Sequence, residues 1–331
     1  MTIPQVTILT AVRNGAHHIA STIDCALQQT YRDWEYLIVD DASTDATAEI
    51  VQEFERRDGR IRLIRRLSSG GPYIAANEGL RQARGTYVVR TDADDHFPPQ
   101  RIARQIEFLK SHPEYRACIS FWQAFTENGI RPHVVTAPRN SRVFRWELVL
   151  KAPSLHSAVC YERSVMEELG GYPELPLAQD YWLWCQLTRR NWLGTIPEVL
   201  CYVRYHEGRQ THVNSRLQVK LGLDVLHDHM LALTGERWPQ PDLAALRALG
   251  LGQSIPVEAG RKLLDRWDRL WNGANDLTLE DRADLSRTSA LIRWKHLRAN
   301  ARSKPVTVAI GLCKLLTTRA HSLVPALLES R

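Results

Sequence analysis

The chain has 331 residues, of which 44% are hydrophobic and 24% charged; that suits one large or two smaller folded domains and excludes long disorder. Its net charge of +6 fits an anionic partner such as a nucleotide, a nucleic acid or a membrane surface, without choosing among them. Six scattered cysteines with no C-x-x-C pair argue against a zinc finger or disulfide scaffold and read as small buried hydrophobes in a reducing compartment.

Met1 runs directly into strand-like sequence, so no secretory leader is expected, and no apolar stretch is long enough to cross a bilayer. The expectation is a cytoplasmic protein, with peripheral attachment to the inner face of the cell membrane left open. Val6 to Val12 is an apolar, β-rich run closed by Asn14-Gly15, and His18 to Gln29 has helical spacing through Ile19, Ile23, Ala26 and Leu27. Glu35 to Val39 is the next strand and ends in Asp40-Asp41; Ser43 or Thr44 can cap the following helix, with Asp45 in its first turn. Ile61 to Ile64 is a third strand, Ser68 to Pro72 a turn into a helix reaching about Ala83, and Arg84-Gly85 stops that helix before a fourth strand.

The fourth strand, Tyr87-Val88-Val89-Arg90, runs into Thr91-Asp92-Ala93-Asp94-Asp95. If the chain stays extended, Asp92 and Asp94 point one way and Asp95 the other. Adjacent carboxylates repel, and a hard divalent cation such as Mg²⁺ or Mn²⁺ between them would relieve it. The same residues also suit a solvated acidic turn ahead of a helix started by Pro98-Pro99. The βαβα order implies a mostly parallel, doubly wound sheet, which binds ligands beyond the carboxyl ends of its strands. Asn14, Asp40-Asp41 and Asp92-Asp94 all fall at such ends. Neither G-x-G-x-x-G nor G-x-x-x-x-G-K-[ST] follows the first strand, which disfavours a dinucleotide dehydrogenase or P-loop enzyme.

From Arg116 to Tyr205 the pattern is less regular, with a strand at Ser157 to Tyr161, a turn at Gly170 to Pro173 and an aromatic-rich helix from Gln179 to Arg190. Beyond Thr211 it is almost wholly helical, and a boundary is expected near Asn214.

Taken together, Val6 to Asn14, Gln28-Gln29-Thr30-Tyr31, Val39 to Asp45, Ala83-Arg84-Gly85 and Asp92 to Asp95 resemble the N-terminal half of the family-2 glycosyltransferases. Gly170-Gly171-Tyr172, Gln179 to Trp184 and Arg204-Tyr205-His206 resemble its later landmarks. The resemblance covers about residues 5 to 210. It implies a GT-A fold over residues 1–213, with a nucleotide-binding half (1–115) and an acceptor half (116–213), followed by a basic helical region (214–331). The activity implied is metal-dependent, inverting transfer of one sugar from a nucleotide-sugar, commonly a UDP-sugar. The implied acceptor is a hydroxyl of a glycan or lipid-linked molecule in cell-envelope or exopolysaccharide synthesis.

Residue by residue, the resemblance puts Asp41 on the base, with Ala11 and Asn14 lining the same pocket. It puts Asp92 on the ribose or metal beside Ala93, and Asp94 on a Mn²⁺ or Mg²⁺ ion with His206 as a further metal or diphosphate ligand. Asp180 matches the general base that a poorly nucleophilic sugar hydroxyl needs. His156 and Trp182 fall on the acceptor side. The chain departs from the family at Gln179, where Glu is frequent, and at Ala76, where Arg is frequent. These departures leave a non-catalytic nucleotide-sugar-binding or scaffold relative as the alternative. The Gln-x-x-Arg-Trp signature of processive synthases does not appear near its expected place.

Residues Leu291 to Lys304 mix Arg293, Lys295, Arg298, Arg302 and Lys304 with Trp294 and Leu297, and an amphipathic pattern continues to Leu327. This face suits an anionic membrane surface, the protein's own surface or a second subunit in a homo-oligomer equally well. Nucleic acid is not expected, because no binding module accompanies the charge.

Overall fold

The computed structural model describes residues 3–152, 155–205 and 215–300. The chain divides into two compact units, Met1–Arg139 with Pro153–Leu221, and Asn140–Ala152 with Gly222–Arg331.

The first unit is built on an eight-stranded sheet. Strands β1 (Val6–Val12), β2 (Trp34–Asp40), β3 (Ile61–Arg65) and β4 (Tyr87–Arg90) are parallel in the order β3-β2-β1-β4. Helices α1 (Ile19–Leu27), α2 (Thr47–Arg57) and α3 (Pro72–Gln82) make the crossovers. β2 is buried at every position, as a strand covered on both faces must be. Ile8, Tyr36 and Ile38 meet Ile19, Ile23 and Val51 of α1 and α2. The other face carries Leu9 and Val39, which lie so close to α3 that a Cβ on Gly79 would stand 2.3 Å from Leu9.

Beyond β4 the sheet is mixed rather than mostly parallel. Helix α4 (Arg101–Ser111) leads to β5 (Ala117–Thr126), which pairs antiparallel with β6 (Gly129–Val135) and with β7 (Val159–Glu162). β7 also lies antiparallel to β4, and the long β8 (Leu193–Arg204) runs parallel to β5. Between β7 and β8 stand the short α6 (Arg163–Glu168) and α7 (Gln179–Arg189). β6 and β8 escape a pattern reading for physical reasons. β6 is exposed along most of its length and holds Pro132, and β8 pairs with β5 through register shifts at Ser120 to Trp122, so neither shows a clean alternation.

At the amino edge of the parallel strands, buried Glu35 accepts hydrogen bonds from Thr7 Oγ1 (2.8 Å), the Arg84 backbone (2.8 Å) and guanidinium, and Arg62 (2.9 Å). That cluster seats Gly85 directly on β1: a Cβ there would lie 2.4 Å from the Thr7 nitrogen and 2.6 Å from the Val6 carbonyl carbon. Only glycine permits the approach.

In the second unit, α5 (Ser141–Glu147) belongs with the later helices α8 (Ser215–Thr234, which starts in the first unit), α9 (Gln240–Gly250), α10 (Val257–Gly273) and α11 (Leu279–Asn300). Leu243, Leu246, Leu249, Leu264, Trp267 and Leu285 are buried there. Asp281, buried at the start of α11, accepts from Asn140 (2.9 Å), Arg142 (2.7 Å) and the Thr278 backbone (3.0 Å). Burial opposes its ionisation, yet these bonds prevail and hold its carboxyl down at about 2. Arg293 pairs with Asp265 and Asp268, so this member of the basic C-terminal run is committed inside the unit. The tail from residue 301 lies outside the described residues.

Gly85→Ala should destabilise the protein by about 2 kcal/mol, the usual cost of overpacking against backbone, read from urea unfolding. Asp281→Asn should cost about 2 kcal/mol at neutral pH, as for loss of hydrogen bonds to a charged group. Because the folded pKa is the lower one, the Asp281 contribution is complete above about pH 4 and fades as pH falls toward 2. Melting curves of variant and parent should therefore converge over that window.

Candidate active site

Parallel strands bring their carboxyl ends to one edge, and the polar residues that follow β1, β2, β3 and β4 meet there. After β1, Asn14 takes a left-handed conformation (φ 55°), which asparagine tolerates better than most residues. Its N–H donates to Ser43 Oγ (2.9 Å) and its side-chain carbonyl accepts from the Thr44 N–H (2.8 Å). Ser43 and Thr44 are thereby drawn away from the helix-capping role expected of them. The helix starts at Thr47 with Ala46 at its N-cap, and Asp45, just ahead of it, accepts from the Thr47 N–H (3.1 Å). Ala11, half-buried, sits one residue inside the β1 end.

After β2, Asp40 accepts from the Ser43 N–H (3.3 Å), a turn role. Asp41 is buried and gathers the loop that follows β3. It forms an ion pair with Arg66 (2.8 Å) and accepts from Ser69 Oγ (2.7 Å) and from the Gly70 (3.0 Å) and Gly71 (2.9 Å) N–H groups. Burial would raise its pKa, but Gly70, Ser69, Gly71 and the Arg66 charge together hold the carboxyl below the ordinary range. Three donors and one ion pair thus engage a carboxylate that has about four acceptor positions.

After β4 the chain does not stay extended. The strand ends at Arg90, and Asp92 to Asp95 form a turn closed by the Asp95 N–H on the Asp92 carbonyl (3.4 Å). The separation expected from strand alternation therefore arises by another route. Asp92 and Asp94 are partly exposed, whereas Asp95 is buried and accepts from the Arg204 N–H (3.1 Å). Thr22 of α1 donates to the carbonyls of Ala93 (2.9 Å) and Asp95 (3.0 Å), and Asp92 N–H donates to Ser157 Oγ (2.8 Å).

Three arginines surround this turn. Buried Arg90 donates to the carbonyl of Leu9 (2.7 Å) and pairs with Asp92 (3.3 Å). Fully buried Arg101 donates to the Arg90 carbonyl (2.8 Å). Arg204, at the end of β8, donates from Nε to the Asp94 carbonyl (3.1 Å) and from Nη2 to His96 (3.1 Å). Burial and then the Arg204 charge lower the pKa of His96, which leaves its ring free to accept. A lone arginine at the end of the apolar run Tyr87-Val88-Val89 is the one sequence signal that pointed to a buried counter-charge.

On the other flank, Ala178 (φ 64°) precedes α7, a third left-handed non-glycine residue near the rim after Asn14 and Ala42, and such strain clusters at functional sites. Asp180 stands in the first turn of α7 and accepts from the Tyr181 N–H (2.7 Å), where the helix N-terminus favours a negative charge. Gln179 turns its amide to the Leu175 carbonyl (2.7 Å). The tryptophan pair separates: Trp184 is fully buried core, and Trp182 is half-buried.

Tyr172 follows the Gly170-Gly171 turn and is buried against α3 and β7. Asn77 grips its backbone, with Nδ2 on the Tyr172 carbonyl (2.8 Å) and Oδ1 on its N–H (2.8 Å). Its hydroxyl meets His156 Nε2 (2.6 Å) and Tyr161 OH (3.2 Å). Burial pushes the phenol up to about 12, against the Arg90 charge and the Tyr161 bond, with the negative charges of Asp180 and Asp92 adding to the rise. His156, whose other ring nitrogen faces Arg90 (3.5 Å), is kept neutral by burial and by that arginine.

For a metal, the hard oxygens of Asp92 and Asp94 on a partly exposed turn suit Mg²⁺ or Mn²⁺, which commonly take one or two carboxylates and complete their shell with substrate phosphates and water. No group of three or more His, Cys, Asp or Glu side chains is arranged to hold a metal ion among the described residues, and His206 falls outside them.

Residues 7–170 match the Glycosyl transferase family 2 sequence profile. TuaG of Bacillus subtilis strain 168, provisionally named a teichuronic acid biosynthesis glycosyltransferase, is 36% identical over 106 residues, which is 32% of this chain and 42% of TuaG. In structure, residues 1–349 of S. aureus TarS with UDP-GlcNAc superpose with a TM-score of 0.59 at 16% identity, covering 88% of this chain and 87% of that one. The mannosyltransferase PcManGT of Pyrobaculum calidifontis, with GDP-Man and Mn²⁺, gives 0.53 at 19% identity, covering 100% and 85%. With the family's sequence over residues 7–170 and a Rossmann-like GT-A sheet beneath it, this chain belongs to glycosyl transferase family 2.

Proposed function

We propose that the protein transfers a single sugar, with inversion, from a nucleoside-diphosphate sugar to a hydroxyl of a glycan or lipid-linked acceptor. The observation that carries this reading is geometric: the residues that follow β1, β2 and β4, among them Asn14, Asp41, Asp92 and Asp94, meet at one edge of the parallel strands. They do so in a chain whose residues 7–170 match the family profile. Asp180 takes the proton of the incoming hydroxyl as the new bond to the anomeric carbon forms. Attack from the face opposite the leaving group inverts that carbon.

Asp92 and Asp94 would hold a divalent cation, whose chemistry is to stabilise negative charge on the departing diphosphate. Ala11 and Asn14 line the nucleotide pocket beside Asp41, with Ala93 next to the ribose. A base N–H that reaches Asp41 joins or displaces its three present donors, and the Ser69 hydroxyl is the one most easily rotated away. Trp182 offers the acceptor sugar an apolar face. His156 acts from beneath the site rather than on the acceptor, since both its ring nitrogens are engaged.

UDP as the donor nucleotide is supported by the UDP-GlcNAc held by TarS, and Mn²⁺ by the ion bound in PcManGT. A cell-envelope acceptor is supported by the name of TuaG. Gln179 does not weaken the reading, because its side chain is spent on the Leu175 carbonyl. No helix among the described residues is long and apolar enough to cross a membrane. If the acceptor is lipid-linked, the protein meets it from the membrane surface.

A thermal-shift screen of nucleotide-sugars with and without Mn²⁺ tests donor and metal together; no stabilisation by any of them would overturn the proposal. Asp180→Asn should lower turnover by ~10²–10⁴-fold with nucleotide affinity nearly unchanged, and undiminished turnover removes the base assignment. Asp94→Ala should abolish the Mn²⁺-dependent part of UDP affinity in calorimetry. Full retention of that part excludes Asp94 as a ligand.

A further inference from the structure

Val89 belongs to the core that β4 shares with α1 and α2, so the side chains on either side of it point to the opposite face of the sheet. One of them is Val88, fully buried. The other is Arg90, whose side chain is only 5% exposed. A guanidinium removed from water is costly unless its donors are met and its charge is paired. Nη1 donates to the carbonyls of Leu9 (2.7 Å) and Thr91 (3.3 Å). Nη2 donates to Asp92 Oδ1 (3.3 Å) and faces His156 Nδ1 (3.5 Å), a ring that offers no negative charge. The carbonyls satisfy donors, and Asp92, with its side chain 43% exposed, supplies the charge.

The pair acts in both directions. Asp92 neutralises a charge that the sheet has buried, and Arg90 neutralises one of three carboxylates crowded into one turn. Asp92 is thus held twice, through its side chain by Arg90 and through its backbone N–H by Ser157 Oγ (2.8 Å). A divalent cation bound at Asp92 has to share that carboxylate with Arg90, a like charge in a site poorly screened by water. Like charges at such range oppose each other. The turn by itself is therefore a weak cation site. The diphosphate of a donor changes the balance, because its negative charge offsets the repulsion.

We propose that Arg90 is a positioning residue that serves as the resident counter-ion of the acidic turn. It fixes Asp92 and keeps the turn's own affinity for a divalent cation low, so that cation and nucleotide diphosphate bind jointly. The inference rests on the cation role given above to Asp92 and Asp94. It goes beyond that role by making a buried arginine, and not the number of carboxylates, set how strongly the turn takes a metal.

Mn²⁺ affinity without nucleotide, read from the loss of the free-ion electron paramagnetic resonance signal, tests this directly. Arg90→Gln should tighten it by ~10- to 100-fold, the scale of one like charge removed from a partly buried site. Arg90→Lys keeps the charge and should stay within about threefold of the parent. A substitution that merely disturbs the turn loses affinity, so damage cannot produce the expected gain. Unchanged or weaker binding in Arg90→Gln, or equal tightening in Arg90→Lys, overturns the proposal.

Melting temperature without metal or nucleotide is an independent measurement. If repulsion among the carboxylates governed the turn, Asp92→Asn would raise it. With Arg90 as the counter-ion, Asp92→Asn strands a buried charge and should lower it by ~3–6 °C. In the Arg90→Gln background the same substitution should shift it by no more than about 1 °C. A rise or no change in the parent background overturns the proposal, whether or not Arg90→Gln folds, and so does an equal loss in both backgrounds. Should the parent bind no Mn²⁺ even with UDP present, the failure belongs to the cation role of Asp92 and Asp94. The sign of the Asp92→Asn shift then decides this inference.

Discussion

Three carboxylates crowd the turn that follows β4, and the molecule tolerates them because arginines underlie it. Arg90 reaches Asp92 from below the sheet edge, Arg101 supports the Arg90 carbonyl, and Arg204 closes over the Asp94 carbonyl and the Asp95 side chain. Placing guanidinium groups in the interior is costly unless their donors are met. Here backbone carbonyls of Leu9, Thr91, Arg90 and Asp94 meet many of them. The repulsion that invites a bound cation is thus partly relieved by the protein itself. What remains for a cation is the exposed side of Asp92 and Asp94.

Several residues that mark the family are structural devices rather than chemical ones. Gly85 lets the start of β4 lie on β1 without a side chain between them. Gln29 joins the end of α1 to the loop before α4, bonding the Pro98 carbonyl (2.9 Å) and the Ile102 N–H (3.1 Å). Asn77 and Gly171 fasten Tyr172. Each spans a long gap in sequence with a short, directional contact.

The second unit has a different logic. It gathers α5 from the middle of the sequence with the helices after Thr234 around a leucine and tryptophan core. Its polar anchors are two buried carboxylates, Asp281 accepting from Asn140 and Arg142, and Asp268 accepting from Arg293. Arg293 read as part of a basic surface in sequence, and it is in fact an internal ion-pair partner.

What the amino-acid order determined was the alternation of strand and helix as far as Arg90, the convergence of Asn14, Asp41 and Asp92–Asp94 on one edge, and the family. Periodicity is local, and parallel strands send their ends to a common rim whatever else the chain does. The mixed half of the sheet, β6 and β8, and the membership of α5 in the second unit were not legible. They depend on pairings between distant segments, with exposed faces, a proline and register shifts that erase local pattern. The turn at Asp92–Asp95, the engagement of Asp41 by the loop after β3 and the buried course from Arg90 through His156 to Tyr172 were decided by tertiary structure alone. Hydrogen bonds between residues 16 to 66 positions apart, such as His156 to Tyr172 and Arg90 to His156, leave no local pattern in the sequence.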